Sequence, residues 1–107
     1  NNQNFGDYGP TVIMSHELDG NLFYTLYGHL SKSSLSKINN GDAVNQGQVI
    51  AQLGNEKENG NYAPHLHFQI IKDIGDFVGD YPGVCDKNKL DFYKNNCPDP
   101  NLILCLA

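Results

Sequence analysis

The dipeptide Asp19-Gly20 constrains this chain more than any other feature, because of what flanks it. Before it stands Thr11-Val12-Ile13-Met14, a β-branched run opened by the turn signal Gly9-Pro10. After it stands Leu22-Phe23-Tyr24-Thr25-Leu26-Tyr27, the strongest strand signal in the chain. Asp-Gly suits the two central positions of a tight hairpin turn, so the two runs are predicted to pair antiparallel. The aromatic run is apolar on both faces, which predicts that both of its sides are covered.

The same reading extends along the chain. Ser31 to Asn40 is a polar connection anchored by Leu35 and Ile38, and Asn40-Gly41-Asp42 is a turn. Val49-Ile50-Ala51-Gln52-Leu53 reads as the next strand and Leu66 to Ile71 as the one after it. Between them lies a polar loop, Gly54 to Ala63, rich in Gly and Asn. In the segment Gly41 to Ile50 the glycines are predicted to serve turns, and Val44, Val49 and Ile50 the core. Gly75 to Gly83 is loop-like, Lys87 to Asn95 forms a short helix, and Cys97-Pro98-Asp99-Pro100 forbids regular structure. Short strands with turns between them predict an all-β fold, an antiparallel sheet core with an irregular C-terminal tail.

Size and charge exclude several classes. A chain of 107 residues is one small domain. Its net charge of −5 argues against a nucleic-acid partner, which needs a basic face. No apolar run is long enough to span a membrane. Neither an initiator Met nor a signal peptide opens the chain, and Asn1-Asn2-Gln3-Asn4 reads as the middle of something longer. The three cysteines, Cys85, Cys97 and Cys105, are an odd number, which predicts reduced thiols rather than a disulfide framework.

Chemistry concentrates in Pro64-His65-Leu66-His67-Phe68 and Tyr27-Gly28-His29-Leu30, which hold three of the four histidines. On a strand, His65 and His67 share a face while Leu66 takes the other. Two imidazoles converging on one face are half of a zinc site. Pro64 restricts Ala63 to extended geometry and so fixes the approach to His65. His29 ends an aromatic strand, where functional loops tend to begin. His16 ends the first strand and reads as a partly buried structural histidine. The carboxylates are scattered over what reads as solvated surface. No Ser or Cys sits in a nucleophile motif, which leaves covalent catalysis without support.

Taken in order, these elements resemble the lysostaphin/LytM-type zinc metallopeptidase domain. Tyr8-Gly9 opens a strand, His16 ends one, and Tyr27-Gly28-His29-Leu30 follows. Then come the Gly-Asp-x-Val-x-x-Gly-Gln-x-Ile pattern from Gly41 to Ile50 and His65-Leu66-His67-Phe68. Biotinyl/lipoyl and sugar-phosphotransferase carrier domains share the Gly41 to Ile50 hairpin, but have no reason to carry the rest. The resemblance implies a sheet of LytM type over 1–74, with 75–107 as a tail packed on it. It implies zinc as cofactor with His67 as a ligand, and His65 and His29 as the catalytic pair. Zinc would lower the pKa of its bound water, and the two imidazoles would move the proton and steady the oxyanion. A peptide or peptidoglycan cross-link is the implied partner.

The sequence also departs from that pattern. The family's remaining ligands come from a His-x-x-x-Asp element upstream of the Tyr-Gly strand, and no such element occurs here. The expectation is a domain lacking its N-terminal part, inactive as this fragment, with zinc weak or absent. An exposed strand edge then makes self-association an expectation too. The loop before His65 reads Glu56-Lys57-Glu58-Asn59-Gly60-Asn61-Tyr62, where the family favours small residues.

A second resemblance lies in the tail. Gly79 to Val84 and Cys97 to Leu102 are similar to a segment found in fusion proteins, where a LytM-like domain lies between a kinase-like domain and a pyridoxal-phosphate-dependent class III aminotransferase domain. That resemblance implies the alternative, a non-catalytic binding or structural module within a larger cytoplasmic enzyme. A hydrolase would instead belong to the cell envelope.

Overall fold

A computed structural model describes residues 1–2, 7–84 and 86–105. Strand β1, Val12–Leu18, and strand β2, Asn21–Gly28, flank Asp19 and Gly20, whose φ angles are +51° and +80°. Two successive left-handed residues match the twist of the flanking strands, so the Asp-Gly signal gives the expected tight hairpin. Strand β3, His67–Ile71, completes a three-stranded antiparallel sheet in the order β1-β2-β3. The helices are short: α1 at Lys32–Leu35, a 3-10 turn at Lys87–Lys89, α2 at Leu90–Asn96 and α3 at Asn101–Leu104. The fold is all-β with a short helical tail, as expected. Among the described residues no helix is long and apolar enough to cross a membrane.

The chain divides into two units, Asn1–Val12 with Tyr27–His67 and Ile13–Leu26 with Phe68–Ala107. In the second, Leu26 and Ile71 are fully buried, with Thr25, Ile70 and Tyr81 nearly so. Asn96, buried at the end of α2, holds this unit's helix to the residues that follow β3. Its Oδ1 accepts from the Asp73 N–H at 2.9 Å, and its Nδ2 donates to the Asp73 carbonyl at 2.8 Å and to the Tyr81 hydroxyl. Its backbone carbonyl accepts from Lys72 at 2.8 Å. Each such bond is worth about 1 kcal/mol net, and leaving a buried partner unsatisfied costs more. His16 lies 2.7 Å from Thr25 Oγ1 and stacks on Phe23 at 4.9 Å, the structural part expected of it. Cys97 and Cys105 form no disulfide, and Cys85 lies outside the described residues.

The first unit is built differently. Leu30 and Pro10 are buried in it, but so are Thr11, His29, Ser31, Ser34 and Asn59. Hydrogen bonds hold these polar groups in place. Ser31 caps α1 by accepting from the Ser34 N–H at 3.2 Å, and its own N–H donates to the Gln52 carbonyl at 2.8 Å. The Gln52 N–H in turn donates to Ser34 Oγ at 2.9 Å.

Four local expectations are corrected. Residues 49–53 form no strand; Leu53 makes only an isolated bridge to Leu30. Val44 and Val49 are exposed, Val49 to 85%, and Ile50 is half-buried. Asp42 N–H bonds back to Asn39 and Gln48 N–H back to Asn45, while Asp42 and Gln48 side chains accept from the N–H groups of Asn39 and Asn45. Those turns run up to Gln48, and within the segment itself Gln52 gives its N–H to the Ser34 hydroxyl rather than to a neighbouring strand. Second, β2 is covered only over its later half, and Leu22 is 56% exposed. Third, β3 begins at His67, so His65 and Leu66 precede the strand rather than alternate within it. Fourth, two short helices arise where none was read: α1 in the Ser31 to Asn40 connection, and α3 directly after Pro100, whose φ of −57° already suits a helix.

Candidate functional site

Tyr27 and Gly28 end β2, and the next residue, His29, has left-handed backbone with φ +62°. For a side chain of this size that conformation costs on the order of 1–3 kcal/mol and persists only when its surroundings over-determine it. They do. The His29 N–H donates to the Tyr8 carbonyl at 2.6 Å, its carbonyl accepts from the Gly54 N–H at 2.9 Å, and the Leu30 N–H donates to the Pro10 carbonyl at 3.0 Å. The side chain is 4% exposed.

His29 Nδ1 lies 2.6 Å from the Asn59 carbonyl oxygen. A carbonyl can only accept, so Nδ1 carries the proton and Nε2 carries the lone pair. His65 follows the same rule, with Nδ1 2.7 Å from the Ala63 carbonyl, and its side chain is exposed. The His29 and His65 rings are 4.4 Å apart between centroids, and His67 lies 6.0 Å from His29. The structure therefore brings together all three histidines singled out from the sequence. His16 belongs to the other unit.

Two tyrosines complete the cluster. The Tyr8 ring is 4.5 Å from His67 and 5.9 Å from His29. The Tyr62 ring stands edge-on, 4.9 Å from His29 and 5.5 Å from His65. Sequence reasoning did not assign either tyrosine to the site. The available signals were slight: Tyr8 precedes the Gly9-Pro10 turn, and Tyr62 is the one aromatic in the polar loop before His65.

That loop folds back against the segment that carries His29. Glu58 accepts from the Lys32 N–H at 2.6 Å and the Asn55 N–H at 3.1 Å. These two bonds, the Lys32 one foremost, hold its carboxyl below the usual range. Gly9 admits the loop from the other side. With φ +61°, it passes so close that a Cβ there would stand 2.6 Å from the Glu58 carbonyl oxygen and 2.8 Å from Asn59 Cα.

Burial lowers the pKa of His29, the Asn59 bond opposes this, and the neighbouring imidazoles of His65 and His67 lower it further. Unfolded, the ring releases its proton near pH 6.5, and folded it does so at lower pH. In that window the unfolded state binds more protons, so stability falls as the pH falls through it. Glu58 has the same sign at lower pH: its contribution is present above the ordinary carboxylate range and is lost as the pH falls through its depressed value. An NMR titration is expected to show His29 with a midpoint below 6.5 and a melting temperature that drops with acidification. A His29 midpoint above 6.5 would contradict this burial of the ring.

Among the described residues, no group of three or more His, Cys, Asp or Glu side chains is arranged to hold a metal ion. A catalytic zinc site needs three protein ligands and an open position. The donors in view do not make that set.

A small antiparallel sheet thus gathers histidines at the end of one strand and the start of another. The chain belongs to Peptidase family M23, whose family model matches residues 1–79. That family is generally zinc-dependent, and membership makes this a peptidoglycan-hydrolase-like domain. Comparisons with curated proteins and with solved structures gave no match.

Proposed function

We propose that this is an endopeptidase domain acting on peptide cross-links of peptidoglycan, with His29 and His65 as the proton-handling pair and His67 as one metal ligand. The observation that carries the reading is the arrangement of that pair. The rings are 4.4 Å apart, and each ties its Nδ1 to a carbonyl, which leaves each Nε2 for chemistry. The neutral form of one ring takes a proton through Nε2 while the protonated form of the other donates to an oxyanion. His29, kept neutral by burial, suits the accepting part.

His67 alone does not hold zinc firmly, so this chain binds the metal weakly and does not hydrolyse cross-links by itself. Calorimetric titration of zinc into the metal-stripped chain tests this. Binding weaker than micromolar is expected. Submicromolar, one-to-one binding that disappears in His67→Ala would overturn the claim, and hydrolysis by the bare chain would overturn it completely.

The incomplete donor set among the described residues also favours a second reading, a non-catalytic module, which the resemblance of the tail would put within a larger cytoplasmic enzyme that carries a class III aminotransferase domain. The neighbouring gene sequence separates the two. A His-x-x-x-Asp element with a signal peptide upstream supports the envelope hydrolase. A kinase-like domain upstream and an aminotransferase downstream support the module.

A further inference from the structure

We infer that Asn59 is the positioning residue of the histidine pair: it fixes which nitrogen of His29 carries the proton, and it sets the Tyr62 ring against both imidazoles. The inference rests on the reading of His29 as a working residue.

Asn59 is fully buried, which is unusual for an amide side chain, and both ends of its amide are engaged. Its Nδ2 donates to the Gly54 carbonyl at 3.1 Å and to the Tyr62 carbonyl at 2.9 Å. Its Oδ1 accepts from the Tyr62 N–H at 2.9 Å. Its own N–H donates to the Asn55 carbonyl at 3.0 Å. The side chain therefore braces the loop across its span, from Gly54 to Tyr62, and grips Tyr62 by both backbone groups. The backbone carbonyl of this same residue is the acceptor for His29 Nδ1 at 2.6 Å.

These two facts bear on each other. A carbonyl selects a tautomer only if it is held still, and the Asn59 amide is the side chain that braces this carbonyl's own residue. Gly54, one end of the brace, also donates its N–H to the His29 carbonyl, so the brace locates the backbone and the ring of His29 together. The alternative is a brace that matters only for folding. Such a brace has no reason to change the tautomer of a ring thirty positions away in sequence once the fold is intact.

The test uses the uniformly ¹⁵N-labelled chain at a fixed pH where its imidazoles are neutral. Long-range ¹H–¹⁵N spectra separate a protonated Nδ1 from a protonated Nε2. In the unsubstituted chain, His29 is expected as the Nδ1–H tautomer, with contacts from the Tyr62 ring to His29 and His65. In Asn59→Ala, His29 is expected to pass to a mixture dominated by Nε2–H and the Tyr62 contacts to vanish. The amides of Ser31 and Gln52, bonded to the Gln52 carbonyl and the Ser34 hydroxyl in the same unit, should keep their shifts and so report that this unit is still folded. Asn59→Ser keeps an acceptor for the Tyr62 N–H while losing a donated bond, and is expected to behave in the same way with less disturbance.

An Nε2–H tautomer in the unsubstituted chain overturns the inference. So does an unchanged Nδ1–H tautomer in a folded variant. Loss of the Ser31 and Gln52 amide shifts in both variants also overturns it, in favour of a purely structural brace. Neither zinc nor substrate takes part in this readout. Failure of the zinc or hydrolysis experiments thus counts against the proposed function and leaves the role of Asn59 standing.

Discussion

Gly9→Ala is expected to lower the melting temperature by about 8–20 °C, since about 2–5 kcal/mol is lost at roughly 4 °C per kcal/mol for a domain near this size. Two costs add. Alanine in the left-handed conformation, φ +61° here, costs about 1–2 kcal/mol relative to glycine. The added methyl would then stand 2.6 Å from the Glu58 carbonyl oxygen and 2.8–2.9 Å from the Asn59 backbone. Those neighbours are main chain and cannot rotate aside, so overpacking of about 1–3 kcal/mol follows. Gly20→Ala is the matched control. It shares a left-handed φ, at +80°, but nothing lies within 4 Å of where its methyl would stand, so only the conformational cost of about 1–2 kcal/mol applies. Differential scanning calorimetry of both variants measures the difference. Equal shifts would mean that the loop does not press on Gly9.

Loss of either imidazole of the pair is the second large effect. If the proposed function holds, His65→Ala and His29→Ala in the active, zinc-loaded protein are each expected to lower kcat for cleavage of cross-linked peptides by about 10²–10⁴-fold, the usual worth of positioned acid–base catalysis. His65 is the cleaner variant, because its side chain is exposed and its hydrogen bond runs to Ala63, two residues away. His29 is buried, so its variant also carries a stability loss that calorimetry separates from the catalytic one. An active, zinc-loaded protein whose rate survives His65→Ala would show that the assigned roles are wrong.

The parts legible in the sequence were those written in local chemistry. Asp19-Gly20 marked the hairpin because the turn's conformational demand falls on those two residues themselves. The histidine cluster was legible because two of its members are one residue apart and the third ends an aromatic strand. Val49 to Leu53 misled, since an apolar run says nothing about whether a distant side chain, here the Ser34 hydroxyl, will take a backbone N–H that a ladder needs. Asn59 was hidden in the same way. Its part depends on His29, thirty positions away, and on a loop path that no nearest-neighbour signal encodes. Tyr62 read as a departure from the small residues the family favours, and its place beside two imidazoles became visible only with the loop folded.

The left-handed backbone of His29 sets two selective pressures against each other at one position. Glycine or asparagine suits that conformation better than histidine does. The ring pulls the other way, since it is buried and bonded to the Asn59 carbonyl, so replacing it would empty a packed site and leave that carbonyl without its partner. Position 29 therefore holds a strained backbone and a well-packed ring at once, and any substitution that relieves the first gives up the second.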